Sequence, residues 1–142
     1  MNRKTGFLVI ALGVILSFGC QQIPPQALTY GSMLMIKRRV LRYAQAHNQL
    51  PKTFDELPVI PGYNNEVNDA WGRPIQYLID GSLQTVRLIS YGRDGREGGV
   101  GEDTDTIGVF VTKDKDGKWQ NELCEWVIDP YSGLGKNGRR SK

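Results

Sequence analysis

Cysteine and histidine are scarce in this chain, and their scarcity disfavours several kinds of chemistry. The 142 residues include two cysteines and one histidine. No pairing of serine or cysteine with histidine is indicated, which argues against nucleophilic catalysis. His47 falls on an apolar helical stripe, where a histidine usually packs or caps. We therefore expect a protein that is not an enzyme, although an acidic loop leaves carboxylate pairs for hydrolysis as an alternative.

Excess charge and long hydrophobic runs are also missing. The formal net charge of +3 is too small to indicate a nucleic-acid partner. The main apolar run covers residues 7–19, which is 13 residues. A membrane-spanning helix needs about 20. This run is instead typical of the apolar core of a secretory signal, since basic residues precede it.

The residues that follow the apolar run indicate a lipid anchor. Gly19 immediately before Cys20 resembles the end of a bacterial lipoprotein signal. We predict a signal peptide over 1–19, lipidation of Cys20 and a polar tether over 20–27. The domain would then face the periplasm from a membrane of the cell envelope. Cys124 would be the one remaining thiol, whereas without lipidation a bridge between the two cysteines stays open.

A second interpretation of the N-terminus is a type IV prepilin leader, cut between Gly6 and Phe7. Such a leader places a glutamate five residues into the mature chain, where this sequence has Ala11. Its apolar helix is also longer, and Pro24 and Pro25 would end this one early. We favour the lipoprotein signal, with an ordinary cleaved signal as a third interpretation.

The remaining pattern predicts an α+β domain. Apolar residues at three- and four-residue steps indicate a helix over about 26–48, with a basic solvated face that contains Lys37, Arg38, Arg39 and Arg42. A capping-box pattern predicts one short turn at 53–56. Strand patterns at 75–79 and 85–91 indicate a hairpin, and those at 107–112 and 119–128 indicate another. Residues 129–142 read as a flexible basic tail after a domain over 28–128.

Between the two hairpins lies an acidic, glycine-rich loop, "YGRDGREGGVGEDTDT" at 91–106. It holds five glycines and five acids. Glycine permits the positive φ angles that turn carbonyls inward, and Ca²⁺ takes six to eight oxygen ligands. The side chains of Asp94, Asp103 and Asp105 could converge on such an ion. A solvated acidic loop is the alternative on composition alone.

Three segments in order resemble one known family. "NQLP" ends the helix at 48–51, "DAWGRPIQYLI" occupies 69–79, and "LISYGRDGREGGVGEDTDT" occupies 88–106. Together they resemble the globular domain of the major pseudopilin of type II secretion systems. The resemblance implies a pilin-like fold, with a long N-terminal helix packed on a small antiparallel sheet.

The resemblance also implies a calcium site and a partner machine. Carried over position by position, the carboxylate ligands are Asp94, Asp103 and Asp105, and Tyr91 supplies a backbone carbonyl. Backbone carbonyls near Arg96 and Val100 are weaker candidates. We therefore expect a calcium-binding, pseudopilin-like structural protein of type II secretion, anchored by lipid, with other pseudopilins or secretion-system proteins as partners. The alternative is a true pseudopilus subunit with a degenerate prepilin leader.

Overall fold

The structure is a computed structural model that describes residues 22–132. It contains one long helix, two short 3-10 helices and one three-stranded antiparallel sheet in the order β1-β2-β3. The elements are α1 (Pro25–His47), a 3-10 helix (Phe54–Glu56), β1 (Gln76–Asp80), β2 (Thr85–Ser90), a 3-10 helix (Gly101–Asp103) and β3 (Thr106–Val111). The expected α+β class, a helix on a small antiparallel sheet, is confirmed.

Several predictions concern residues outside this range. The signal peptide over 1–19, the lipidation of Cys20 and the prepilin cleavage site lie outside the described residues, as do residues 133–142 of the predicted tail over 129–142. Across residues 22–132, no helix combines the length and the apolar character that crossing a membrane would require.

Helix α1 forms where the periodic apolar pattern predicts it. Pro25 occupies the first turn, where a proline loses no helical hydrogen bond. Asn48 ends the helix in the left-handed conformation, with φ 55°. The apolar stripe of Met33, Ile36 and Val40 is fully buried against the sheet. Burial of this stripe is the main source of stability for the helix in the domain.

The predicted solvent exposure of the basic face is wrong for two of its four residues. Lys37 and Arg39 are only 3% and 4% exposed. The Arg39 guanidinium donates hydrogen bonds to the carbonyls of Leu57, Pro58 and Asn65 at 3.3, 2.8 and 2.7 Å. These carbonyls belong to the segment between α1 and β1. This segment covers a side of the helix that the apolar spacing predicts to be exposed to solvent.

The sheet presents its inner face to α1. β1 pairs with β2 from Gln76 opposite Ile89 to Asp80 opposite Thr85, and β2 pairs with β3 from Thr85 opposite Val111 to Ser90 opposite Thr106. The buried inner residues Val86, Leu88 and Phe110 form the core with the apolar stripe of α1. This alternation of buried and outward residues is the period-two pattern of a sheet with one covered face.

The predicted strand at 119–128 is wrong. Residues 119–132, here called the C-terminal segment, form only isolated bridges, such as Val109 with Ile128. Asn121 and Asp129 accept backbone hydrogen bonds from Leu123 and Tyr131, and such local turns compete with a ladder. The apolar side chains of this segment therefore pack individually on the domain, without a regular strand to carry them.

The C-terminal segment lies along α1. The Glu122 carboxylate pairs with Arg42 at 3.0 Å and with Arg38 at 3.4 Å. The Lys37 ammonium donates to the carbonyl of Cys124 and lies 4.9 Å from the centroid of the Trp126 ring. Burial lowers the pKa of Lys37.

Cys124 is half-buried in this segment and has no disulfide partner within the described residues. Desolvation raises the pKa of its thiol. A raised pKa keeps the thiol protonated and unreactive.

Candidate ion-binding loop

The acidic loop joins β2 to β3, which are neighbouring antiparallel strands. It leaves the sheet after Ser90 and returns at Thr106, so both of its ends lie at the same end of the sheet. Two backbone hydrogen bonds organise its interior, from Gly95 to Tyr91 at 3.1 Å and from Arg93 to Glu102 at 2.8 Å. The loop is thus folded back on itself, as its glycine content predicts.

Two glycines are required by close backbone approach. Gly92 and Gly99 have φ angles of 62° and 91°. A Cβ built at either position would lie 2.5 or 2.4 Å from the carbonyl oxygen of Asp103. The loop therefore packs closely around the main chain of Asp103. An alanine at either glycine would displace that main chain.

The carboxylate of Asp103 is held by an arginine of the same loop. Arg93 donates to its two oxygens at 3.0 and 3.2 Å, and to Glu102 at 3.1 Å. Hydrogen bonding and charge from Asp103, with a smaller contribution from Glu102, raise the pKa of Arg93. These pairs are largely exposed to solvent, so each contributes little to stability.

The other two predicted carboxylates cap backbone N–H groups. Asp94 accepts a hydrogen bond from the amide of Arg96, and Asp105 accepts one from the amide of Gly98, both at 3.0 Å. The second carboxylate oxygen of Asp105, Oδ1, is buried and has no hydrogen-bond partner. A buried oxygen without a donor costs free energy, so this atom stands out in the loop.

The predicted carbonyl ligands are engaged but not saturated. The carbonyl of Tyr91 accepts from Gly95, and that of Val100 accepts from Asp103 at 3.1 Å. A carbonyl oxygen has two lone pairs and can still bind an ion. Arg96 is exposed between these two positions.

As they stand, the carboxylates do not form a compact cluster. Over residues 22–132, no three Asp, Glu, His or Cys side chains lie close enough together to hold a metal ion. The donor set nevertheless fits a hard cation, because it consists of carboxylate and carbonyl oxygens and includes the unpartnered Oδ1 of Asp105. The ligand set remains a prediction.

The buried carboxylate of Asp69, outside the loop, also shapes this end of the sheet. This role was not predicted from the sequence. Asp69 accepts hydrogen bonds from the amides of Trp71 and Arg73 at 3.0 and 2.9 Å. Its other oxygen accepts from the hydroxyl of Ser90 at 2.8 Å. An aspartate just before a turn is a known signal for this geometry. The bond to Ser90 is long-range and has no local signal.

Arg73 continues this connection into the loop. Its guanidinium donates to the carbonyls of Gly92 and Arg93. A Cβ at Gly95 would lie 3.1 Å from the Arg73 side chain, so the loop packs closely beneath it. Asp69 and Arg73 therefore fix the start of the loop to the turn that precedes β1.

Comparison with known proteins identifies a matching family. The family model for the type II secretion system (T2SS), protein G, matches residues 35–109, just over half of the chain. This chain therefore belongs to the protein G family of type II secretion systems, and the resemblance to the major pseudopilin globular domain is confirmed. The match runs from α1 through the acidic loop and into β3.

A curated relative gives the same result. The type II secretion system core protein G of Xanthomonas campestris pv. campestris is 39% identical over 67 residues, which cover 40% of this chain and 47% of the relative. The chain thus spans about half the length of that relative. No solved structure matches the chain.

Proposed function

We propose that this chain is a non-enzymatic structural component of a type II protein secretion machine in the cell envelope, and that a Ca²⁺ ion in loop 91–106 stabilises its globular domain. Family membership supports the first part. The buried, unpartnered Oδ1 of Asp105 carries the second. A cation beside that oxygen would replace the missing hydrogen-bond donor.

Asp94, Asp103, Asp105 and the carbonyl of Tyr91 would hold the ion. The backbone carbonyls of Arg96 and Val100 are secondary candidates. The ion supplies no reaction here: it would neutralise the acids of the loop and join its two halves. Arg93 donates hydrogen bonds to both oxygens of the Asp103 carboxylate. We infer that it competes with the ion for this ligand.

We further propose that the domain is tethered by lipid at Cys20. Residues 22–24 are not helical, and Pro24 has φ −57° and ψ 139° immediately before α1. This break favours a separate tether over one continuous pilin helix. The second candidate is a pseudopilus subunit processed between Gly6 and Phe7, which family membership favours.

Thermal unfolding tests the calcium proposal. At free Ca²⁺ about 100 times Kd, one site stabilises by about 2.7 kcal/mol. For a domain of this size, Ca²⁺ should raise Tm by about 10 °C relative to the same protein in a chelator. Mg²⁺ should raise Tm much less. Asp105→Asn should abolish most of the rise. Asp116→Asn, at an exposed acid outside the loop, is the matched control. An unchanged Tm in millimolar Ca²⁺ would refute the site.

Mass spectrometry of the mature N-terminal peptide tests the anchor separately. Diacylglycerol on Cys20 supports the tether, and Cys20→Ser should then release the protein from membranes. A chain that begins at an N-methylated Phe7 would establish the pseudopilus subunit instead. Neither result depends on whether Ca²⁺ binds.

A further inference from the structure

Strand β1 has an open edge. It pairs with β2 on one side, and within residues 22–132 the backbone of Gln76–Asp80 makes no hydrogen bond on the other. By contrast, β3 is covered on its outer side by the C-terminal segment, since Val109 exchanges hydrogen bonds with Val127 and Ile128. An open strand edge is a template for pairing with another strand.

The hydrogen-bond pattern shows which residues face the open edge. Thr112 donates to the carbonyl of Gln84 at 2.8 Å, so Gln84 points toward β3. In an antiparallel sheet this direction alternates along the strand, so Arg87 points toward β1 and bonds with its opposite residue, Leu78. The N–H and C=O groups of Tyr77 and Ile79 therefore point outward.

This arrangement is self-complementary. The geometry points to β1 of a second copy of this chain pairing antiparallel with β1, about a two-fold axis at Leu78. Tyr77 of each copy would then lie opposite Ile79 of the other and exchange both backbone hydrogen bonds. The two Leu78 residues would form the central non-hydrogen-bonded pair, where side chains come closest. A two-fold interface uses the same patch on both copies, as here.

The side chains suit this register. Leu78 and Ile79 are 48% and 45% exposed, although both are large and apolar. Pairing would place an aromatic ring against a β-branched side chain twice, at Tyr77 and Ile79, which is a favourable cross-strand combination. Gln76 would lie opposite Asp80 of the second copy, so an amide donor meets a carboxylate. The two Asp80 carboxylates would be kept at opposite ends of the pair.

The neighbouring surface argues for a second copy rather than a longer peptide. Val67 accepts a hydrogen bond from Ile75 at 2.9 Å and so occupies the edge just before β1. At the other end the chain turns away after Asp80, so only five residues are available. A second β1 has the same length and turns away at the same point.

An apolar groove on the outer face of the sheet begins at this edge. Exposed Leu78 and Leu83 line it together with Val127 and Ile128. Edge pairing would bring two such grooves onto the same face of a six-stranded sheet. The strands alone bury less than the roughly 1,200–2,000 Å² of a stable interface, so we expect a weak, transient dimer.

Disulfide trapping tests the register in the full chain, with Cys20→Ser and Cys124→Ala to remove native thiols. Leu78→Cys would put two thiols at directly opposite positions, about 4.5 Å apart between Cα atoms. We expect oxidation to trap a dimer at least tenfold faster than for Ser82→Cys, an exposed control in the adjacent turn. Equal trapping of the two variants would overturn the proposal.

Sedimentation equilibrium of the full chain in detergent tests the affinity. Leu78→Lys places like charges opposite each other without touching the core, and we expect Kd to rise at least tenfold. Leu83→Lys adds the same charge to the turn, away from the pairing strand, and should leave Kd within about threefold of wild type. A Leu78→Lys protein that dimerises like wild type, or a wild type that stays monomeric at 1 mM, would contradict the edge pairing.

Discussion

The hydroxyl of Ser90 donates a 2.8 Å hydrogen bond to the buried carboxylate of Asp69. This contact ties the end of β2, where the acidic loop begins, to the turn before β1. Asp69 holds that turn together through the amides of Trp71 and Arg73. One carboxylate thus organises two segments that are 21 residues apart in the chain.

Removal of this carboxylate should therefore be costly. We expect Asp69→Ala to lower the free energy of unfolding by about 2–3 kcal/mol, because three donors lose a charged acceptor. Ser90→Ala should cost about 1 kcal/mol, since it removes one of the three. Urea denaturation measures both, with Asp116→Ala as the exposed control. A loss below 0.5 kcal/mol for Asp69→Ala would show that solvent replaces the carboxylate.

Packing between β3 and the C-terminal segment gives a second prediction. A Cβ at Gly108 would lie 2.8 Å from the Trp126 ring. We expect Gly108→Ala to destabilise by about 1–3 kcal/mol through overpacking. The loss should shrink by at least about 0.5 kcal/mol in a Trp126→Leu background, where the ring is gone. Additive losses in the double-mutant cycle would show that Trp126 does not set the size limit at Gly108.

The ion pairs of Glu122 predict a pH dependence. The hydrogen bond from Arg42, followed by the charges of Arg42 and Arg38, lowers the pKa of Glu122 below its ordinary value of about 4.5. Below that value the unfolded chain takes up a proton before the folded one does. The contribution of Glu122 is thus present above about pH 4.5 and is lost as the pH falls through the lowered pKa.

Urea denaturation between pH 2 and pH 7 checks this dependence. We expect Glu122→Gln to cost about 0.5–1 kcal/mol at pH 7, as for other partly exposed pairs, and almost nothing at pH 2. The exposed Glu125→Gln serves as the control. A cost for Glu122→Gln that does not change with pH would attribute the effect to packing.

Competition between Arg93 and an ion gives the fourth prediction, which depends on the calcium proposal. Arg93→Gln frees the Asp103 carboxylate, so Ca²⁺ no longer has to displace a guanidinium. Pairs between exposed groups are weak, and we therefore expect Kd for Ca²⁺ to fall only modestly, by up to about fivefold. Isothermal titration measures it, with Arg87→Gln as an exposed control outside the loop. Weaker binding by Arg93→Gln would mean that Arg93 shapes the site instead.

Local signals in the sequence predicted much of this fold. The apolar spacing predicted α1, and alternation predicted β1, β2 and β3 to within one residue. The capping box of Thr53 and Glu56 is present, and the glycines of the acidic loop have positive φ angles, as expected. Each of these features depends on residues that are close together in the chain.

Non-local contacts account for what the sequence did not predict. The burial of Lys37 depends on the carbonyl of Cys124, 87 residues away. The C-terminal segment has a strand-like sequence, but local turns at Asn121 and Asp129 limit its pairing with β3 to isolated bridges. The ligand set in the acidic loop came from family resemblance, and no local pattern distinguishes Asp105, with its unpartnered oxygen, from its acidic neighbours.

The C-terminal segment also sets how the domain would respond to force. It runs antiparallel to α1, from Trp119 beside Asn48 to Tyr131 beside Tyr30, whose rings are 5.2 Å apart. The two ends of the described chain therefore leave side by side. A force applied between these two ends would break the contacts of the segment one after another, beginning with the tyrosine pair.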